Sequence, residues 1–135
     1  MVTTGGDGSR TLRRLIGVYN AEHTWRGELT YLVGSRLGRA HCALCDITHG
    51  VLREKAEWRE CRSALPVPVD TFHLDDQPEA VRSFVDGRAP VVVGETGDGL
   101  VLLLTPGELE VCGGSPHRLV RALEDAVERL EVRWP

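Results

Sequence analysis

Two apolar runs near the C-terminus limit the fold more than any other feature of the sequence. Ala89-Pro90-Val-Val-Val93 and Leu100-Val-Leu-Leu-Leu104 flank a turn-rich segment, Gly94 to Gly99. Short aliphatic runs bounded by glycine read as strands, and a glycine-rich link between two of them reads as an antiparallel hairpin. Thr105-Pro106-Gly107 turns the chain again, and Leu109 to Cys112 forms a short element. Ser115 then offers an N-cap oxygen, and Pro116 a preset φ in the first helical turn. Leu119, Val120, Leu123, Ala126, Val127 and Leu130 follow at helical spacing, which makes one apolar stripe.

The same patterning extends toward the N-terminus. Leu15 to Ala21 reads as a buried strand. Leu29, Leu32, Val33 and Leu37 predict a helix over 25–37 that Gly38 ends. Val51 to Leu65 reads as helical and stops before Pro66. Val69 to Leu74 is a strand. Asp75-Asp76-Gln77-Pro78 opens a helix with Pro78 at its first position, Val81, Phe84 and Val85 on its apolar face, and Gly87 as its stop. Strands alternating with helices predict an α/β fold, a mixed sheet with helices flanking it. Residues 1–11, rich in Gly, Thr, Ser and Asp, are expected to be a disordered tail, and 12–135 a single domain.

With 16 basic and 20 acidic residues the net charge is −4. Nonspecific nucleic-acid binding needs a basic footprint, so no nucleic-acid partner is expected. No apolar run approaches the roughly 18 residues that span a bilayer, so no membrane partner is expected either. The first ten residues hold no apolar signal core, which predicts a cytoplasmic protein. In that compartment the four cysteines, Cys42, Cys45, Cys61 and Cys112, are not expected to form a structural disulfide framework.

The spacing Cys42-Ala-Leu-Cys45 is the strongest chemical signal. If Cys42 begins a helix, its sulfur meets free backbone N–H groups and the positive end of the helix dipole. Both favour thiolate over thiol. Cys45 lies one turn later on the same face, placed to resolve a mixed disulfide formed when Cys42 attacks. His41 beside Cys42 is either a partner for that thiolate or a solvated loop residue.

The Cys motif, the later strand led by Ala89-Pro90, the hairpin and the final amphipathic helix resemble the thioredoxin-like superfamily over roughly residues 40–130. That resemblance implies a three-layer sandwich, a mixed sheet between flanking helices. In that superfamily a cis-proline begins the strand facing the active-site cysteines, and Pro90 is the matching position. The implied activity is thiol–disulfide oxidoreduction on a protein or small-molecule thiol or disulfide, with no bound cofactor. A cellular reductant such as a thioredoxin or glutathione system would serve it. The sequence departs from thioredoxins in having residues 22–41 between the first strand and Cys42, Ala43-Leu44 between the cysteines, and no Trp before Cys42. Val18-Tyr-Asn-Ala21 with Cys42-x-Leu-Cys-x-Ile-Thr-His-Gly50 also resembles a group of small bacterial proteins, a likeness that implies no mechanism. No G-x-x-x-x-G-K-[ST] occurs and Gly94 to Gly99 reads as a hairpin turn, so a phosphate-binding loop is not expected.

A second reading stays open. Cys42, Cys45 and His49 at i, i+3 and i+7 share a face if one helix carries all three, and two thiolates with an imidazole suit Zn or Cu. His41 or Cys61 would supply a fourth ligand. The plain alternatives are two small hydrophobes in a helix for the cysteines and a surface histidine for His49. A binding or scaffold protein on the same fold, its cysteines chemically idle, is the third reading. Tyr19 and Asn20 end the first strand, where ligands collect in α/β sheets. Thr48 reads as bonding its own helix backbone. Trp25, Tyr31 and Trp58 read as packing residues, and Glu54, Glu57 and Glu60 as a solvated stripe. Cys61 and Cys112 read as buried or surface thiols, and His23, His73 and His117 carry no assigned role.

Overall fold

The computed structural model describes residues 9–21, 42–49 and 54–135. Strand β1 (Arg14–Val18) precedes helices α1 (Ala43–Thr48) and α2 (Ala56–Ala64), then strand β2 (Val69–Phe72) and helix α3 (Glu79–Val85). Strands β3 (Val91–Thr96) and β4 (Gly99–Leu104) follow, with helices α4 (Pro106–Val111) and α5 (Pro116–Arg129) closing the chain. The sheet order is β2-β1-β3-β4. β1 runs parallel to β2, with Leu15 opposite Val69, and antiparallel to β3, with Val18 opposite Val91. β3 and β4 form the expected antiparallel hairpin. The chain is therefore an α/β protein with a mixed four-stranded sheet and flanking helices, as the alternation of elements predicts.

Side chains alternate across β1 and so build two cores. Leu15 and, just past the strand, Tyr19 join a cluster with Leu44 and Ile47 of α1, Trp58 of α2, Leu109 of α4 and Leu119 and Leu123 of α5. Ile16 and Val18 join the opposite cluster, with Val91 and Val93 of β3 and Val81 and Val85 of α3. Helices thus cover both faces. Each such aliphatic side chain, fully buried, contributes about 1.5–3 kcal/mol of transfer free energy.

Local signals explain most element ends. Ser115 Oγ accepts the Arg118 N–H at 3.2 Å, and Pro116 follows it in the first turn of α5. α4 is a helix where the sequence suggested only a turn and a short element. Its start is a capping box: Thr105 Oγ1 accepts the Glu108 N–H at 3.2 Å, and Glu108 Oε1 accepts the Thr105 N–H at 2.9 Å. The hairpin turn is tighter than expected, because β3 continues to Thr96. Thr96 Oγ1 holds that turn by accepting the Asp98 N–H at 3.1 Å and donating to the Gly99 carbonyl at 3.0 Å.

Other boundaries also move. β1 ends at Val18 rather than Ala21, and α2 starts at Ala56, with residues 50–53 outside the described set. Pro78 is the N-cap of α3 rather than its first helical residue. The helix expected over 25–37, with Trp25, Tyr31 and His23, lies outside the described residues, as do residues 1–8. Within the expected tail, residues 9–11 are described and Arg10 is tied to the C-terminus. The Arg133 N–H donates to the Arg10 carbonyl at 3.0 Å, and the Arg10 guanidinium donates to the Leu130 carbonyl at 2.6 Å. Among the described residues no helix is long and apolar enough to cross a membrane.

Candidate functional site

Cys42 stands immediately before α1 with extended backbone angles, φ −144° and ψ 106°. Its Sγ accepts the Cys45 N–H at 3.3 Å, so a sulfur fills the N-cap role more often taken by a Ser or Asp oxygen. A second backbone donor, the Asn20 N–H just past β1, reaches the same sulfur at 3.3 Å. These bonds fix Cys42 against the end of the sheet. α1 approaches β1 closely because position 17 is glycine: a Cβ there would lie 3.1 Å from Leu44 Cδ2.

Cys42 is 0% exposed, Cys45 is half-buried, and both are free thiols. Burial alone raises a thiol pKa, since it penalises the charged form. The Cys42 value is nevertheless lowered from the ordinary 9.0. The largest cause is the hydrogen bond from the Cys45 thiol to the Cys42 sulfur. Burial opposes it, the Asn20 and Cys45 amides add to it, and the Asp46 carboxylate works weakly against it. Together these donors favour the thiolate form at Cys42.

Beside the pair lies a polar network that is buried at Tyr19 and Thr48. Tyr19 Oη and Thr48 Oγ1 are 3.0 Å apart, and Thr48 Oγ1 and His49 Nδ1 are 2.7 Å apart. Thr48 donates to the Leu44 carbonyl at 3.3 Å. That bond uses the single hydroxyl hydrogen, so Tyr19 and His49 Nδ1–H are the donors to Thr48. Burial pushes the Tyr19 phenol up to about 12. Desolvation lowers the His49 pKa from its ordinary value, Glu54 opposes it and His73 adds to it. The Tyr19 ring meets the His49 ring edge-on at 5.7 Å and the His73 ring at 5.3 Å. His73 Nδ1 is 3.2 Å from Asp76 Oδ2.

The structure brings Cys42, Cys45, Tyr19 and Asn20 together at one end of β1. The Ala89–Pro90 peptide is cis, Pro90 is buried, and the pairing of Val91 with Val18 sets Pro90 at that same end of the sheet. Thr48 and His73 belong to this neighbourhood, although sequence reasoning gave neither a functional part. The only hint was that Thr48 stands one turn after Cys45.

His49 does not share a helix face with the cysteines. α1 stops at Thr48, and His49 is its C-cap with φ −124° and ψ 144°, bridged to Glu54. Among the described residues no three His, Cys, Asp or Glu side chains gather to hold a metal ion. His41, one suggested fourth ligand, lies outside the described residues. Cys61, the other, lies on α2 with its Sγ 3.6 Å from His117 Nδ1 of α5, while His117 Nε2 faces Glu57 Oε2 at 2.8 Å. Burial first, then Glu57 and Glu60, raise the Cys61 pKa. Burial likewise raises Cys112, whose Sγ donates to the Glu108 carbonyl at 3.5 Å.

Fold and site together define the class: a small α/β protein with a mixed four-stranded sheet and a Cys-x-x-Cys pair at a helix start. Comparison with protein-family models, with curated proteins and with solved structures finds no significant match to this chain.

Proposed function

We propose that this chain is a thiol–disulfide redox protein of thioredoxin-like architecture, in which Cys42 and Cys45 cycle between dithiol and disulfide. The observation that carries this reading is the Cys42 sulfur, which accepts two backbone N–H bonds and the proton of the Cys45 thiol. Two sulfurs in hydrogen-bond contact, one favoured as thiolate, are the reactants that disulfide exchange requires. Topology supports the architecture. A parallel β1–β2 pair, an antiparallel β3–β4 hairpin and a closing helix match the resemblance drawn from the sequence. In this reading Pro90 shapes the wall opposite the cysteines. The partners are a thiol or disulfide substrate and a cellular reductant.

The test equilibrates the full chain in buffers of graded glutathione and glutathione disulfide, followed by acid quenching and peptide mapping. A Cys42–Cys45 disulfide should appear and disappear reversibly with the buffer ratio. Four thiols that stay reduced across the whole series would overturn the proposal.

A further inference from the structure

The two cysteines differ in reach as well as in charge. Cys42 is 0% exposed, while Cys45 is only partly buried. Disulfide exchange needs the attacking sulfur, the attacked sulfur and the leaving sulfur nearly in line, so a buried sulfur cannot meet an external disulfide. A sulfur expelled from a disulfide faces no such demand. It must only be stabilised as a thiolate, and a lower pKa makes it leave faster. Cys42 meets the second requirement, with the Asn20 and Cys45 amides at 3.3 Å each.

We infer that Cys45, not Cys42, exchanges with the outside, and that Cys42 is the internal base, resolving nucleophile and leaving group. The assignment rests on the redox reading above and reverses the order suggested by the sequence. In the reducing direction the Cys45 thiol passes its proton to the Cys42 thiolate. The Cys45 thiolate attacks a low-molecular-weight disulfide RSSR, giving Cys45–S–SR and RS⁻. Cys42 then loses that proton to RS⁻, giving RSH, and attacks the Cys45 sulfur. The Cys42–Cys45 bond forms and a second RS⁻ leaves. Two electrons pass from the protein dithiol to RSSR. In reverse, an external thiolate attacks Cys45 of the internal disulfide and expels Cys42 as the thiolate held by the two amides. A second external thiolate then attacks the mixed disulfide, which releases RSSR and regenerates Cys45.

The test uses full-length Cys42→Ser and Cys45→Ser with glutathione disulfide near pH 9, the ordinary thiol value. Serine at 42 keeps an N-cap oxygen, and serine at 45 keeps a hydroxyl donor to Cys42. Peptide mapping separates each site from Cys61 and Cys112. Cys45 in C42S should be glutathionylated at least about tenfold faster than Cys42 in C45S, and the difference should vanish in concentrated urea, where burial is lost. Equal rates in the folded variants, or faster reaction at Cys42, would overturn the assignment while leaving the redox reading intact. A difference that persists in urea would also overturn it. Wild-type chain that forms no Cys42–Cys45 disulfide under the same oxidant would remove the redox reading, and this inference with it.

Discussion

Cys42 and Cys61 sit 19 positions apart in the sequence and in opposite electrostatic settings. Cys42 is the more deeply buried, and on burial alone its thiol would be the weaker acid of the two. The reverse holds, because donors converge on the Cys42 sulfur whereas burial, and then Glu57 and Glu60, raise the Cys61 pKa. Proximity of a histidine does not rescue Cys61. His117 is 3.6 Å away, but its far nitrogen is held by Glu57, and both side chains are largely exposed. What sets the acidity of Cys42 apart in this chain is the set of hydrogen-bond donors that reach its sulfur against the cost of burial.

The contrast can be broken most sharply at the cysteines. Cys42→Ala should abolish formation of the intramolecular disulfide altogether, while Cys61→Ala should leave it unchanged, as read by thiol counting after glutathione disulfide treatment. Next in size is the phenol beside the pair. Tyr19 has a folded pKa raised from 10.0 to about 12. The stability linked to that raised value is complete below pH 10 and is lost as pH rises toward 12. The loss is about 2–3 kcal/mol. Urea melts across that range should show it in the wild type, and Tyr19→Phe should flatten it.

Smaller changes sharpen the comparison. Thr48→Val removes the acceptor shared by Tyr19 and His49, and should cost about 1–3 kcal/mol by taking a partner from the buried Tyr19 hydroxyl. Cys45→Ala removes the largest influence that lowers the Cys42 pKa, so the Cys42 thiolate should titrate at higher pH while Cys61 does not move. The smallest effect is expected at Glu57→Gln. Stability should change by less than about 0.5 kcal/mol at so exposed a pair. The Cys61 thiol should become slightly more acidic, measured by its alkylation rate against pH, because one of the carboxylates that raise it is gone.

How much of this was legible in the sequence follows the range of each interaction. The hairpin and α5 were readable because their signals are local: apolar runs around glycines, and Ser115-Pro116 ahead of a helical stripe. The capping box of α4 was equally local, in Thr105 and Glu108, but the intervening Pro106-Gly107 suggested only a turn. The expected helix face for His49 failed because α1 closes after six residues, where Thr48 bonds back to Leu44 and His49 pairs with Glu54. Cys42 at a helix start was readable from the Cys-x-x-Cys spacing. The amide of Asn20 and the hydroxyl of Tyr19 reach that neighbourhood from 22 and 29 positions away from their partners, through pairing that no local pattern specifies. The burial of Cys42 belongs to the same class, since exposure depends on contacts far along the chain.

The most direct measurement is the ultraviolet thiolate absorbance of the reduced full-length chain against pH, with Cys42→Ser subtracted. It needs no reagent to reach the buried sulfur. The difference curve should show the Cys42 thiolate forming below the ordinary thiol value of 9.0. A Cys42 thiol that stays protonated up to or beyond that value would contradict the account.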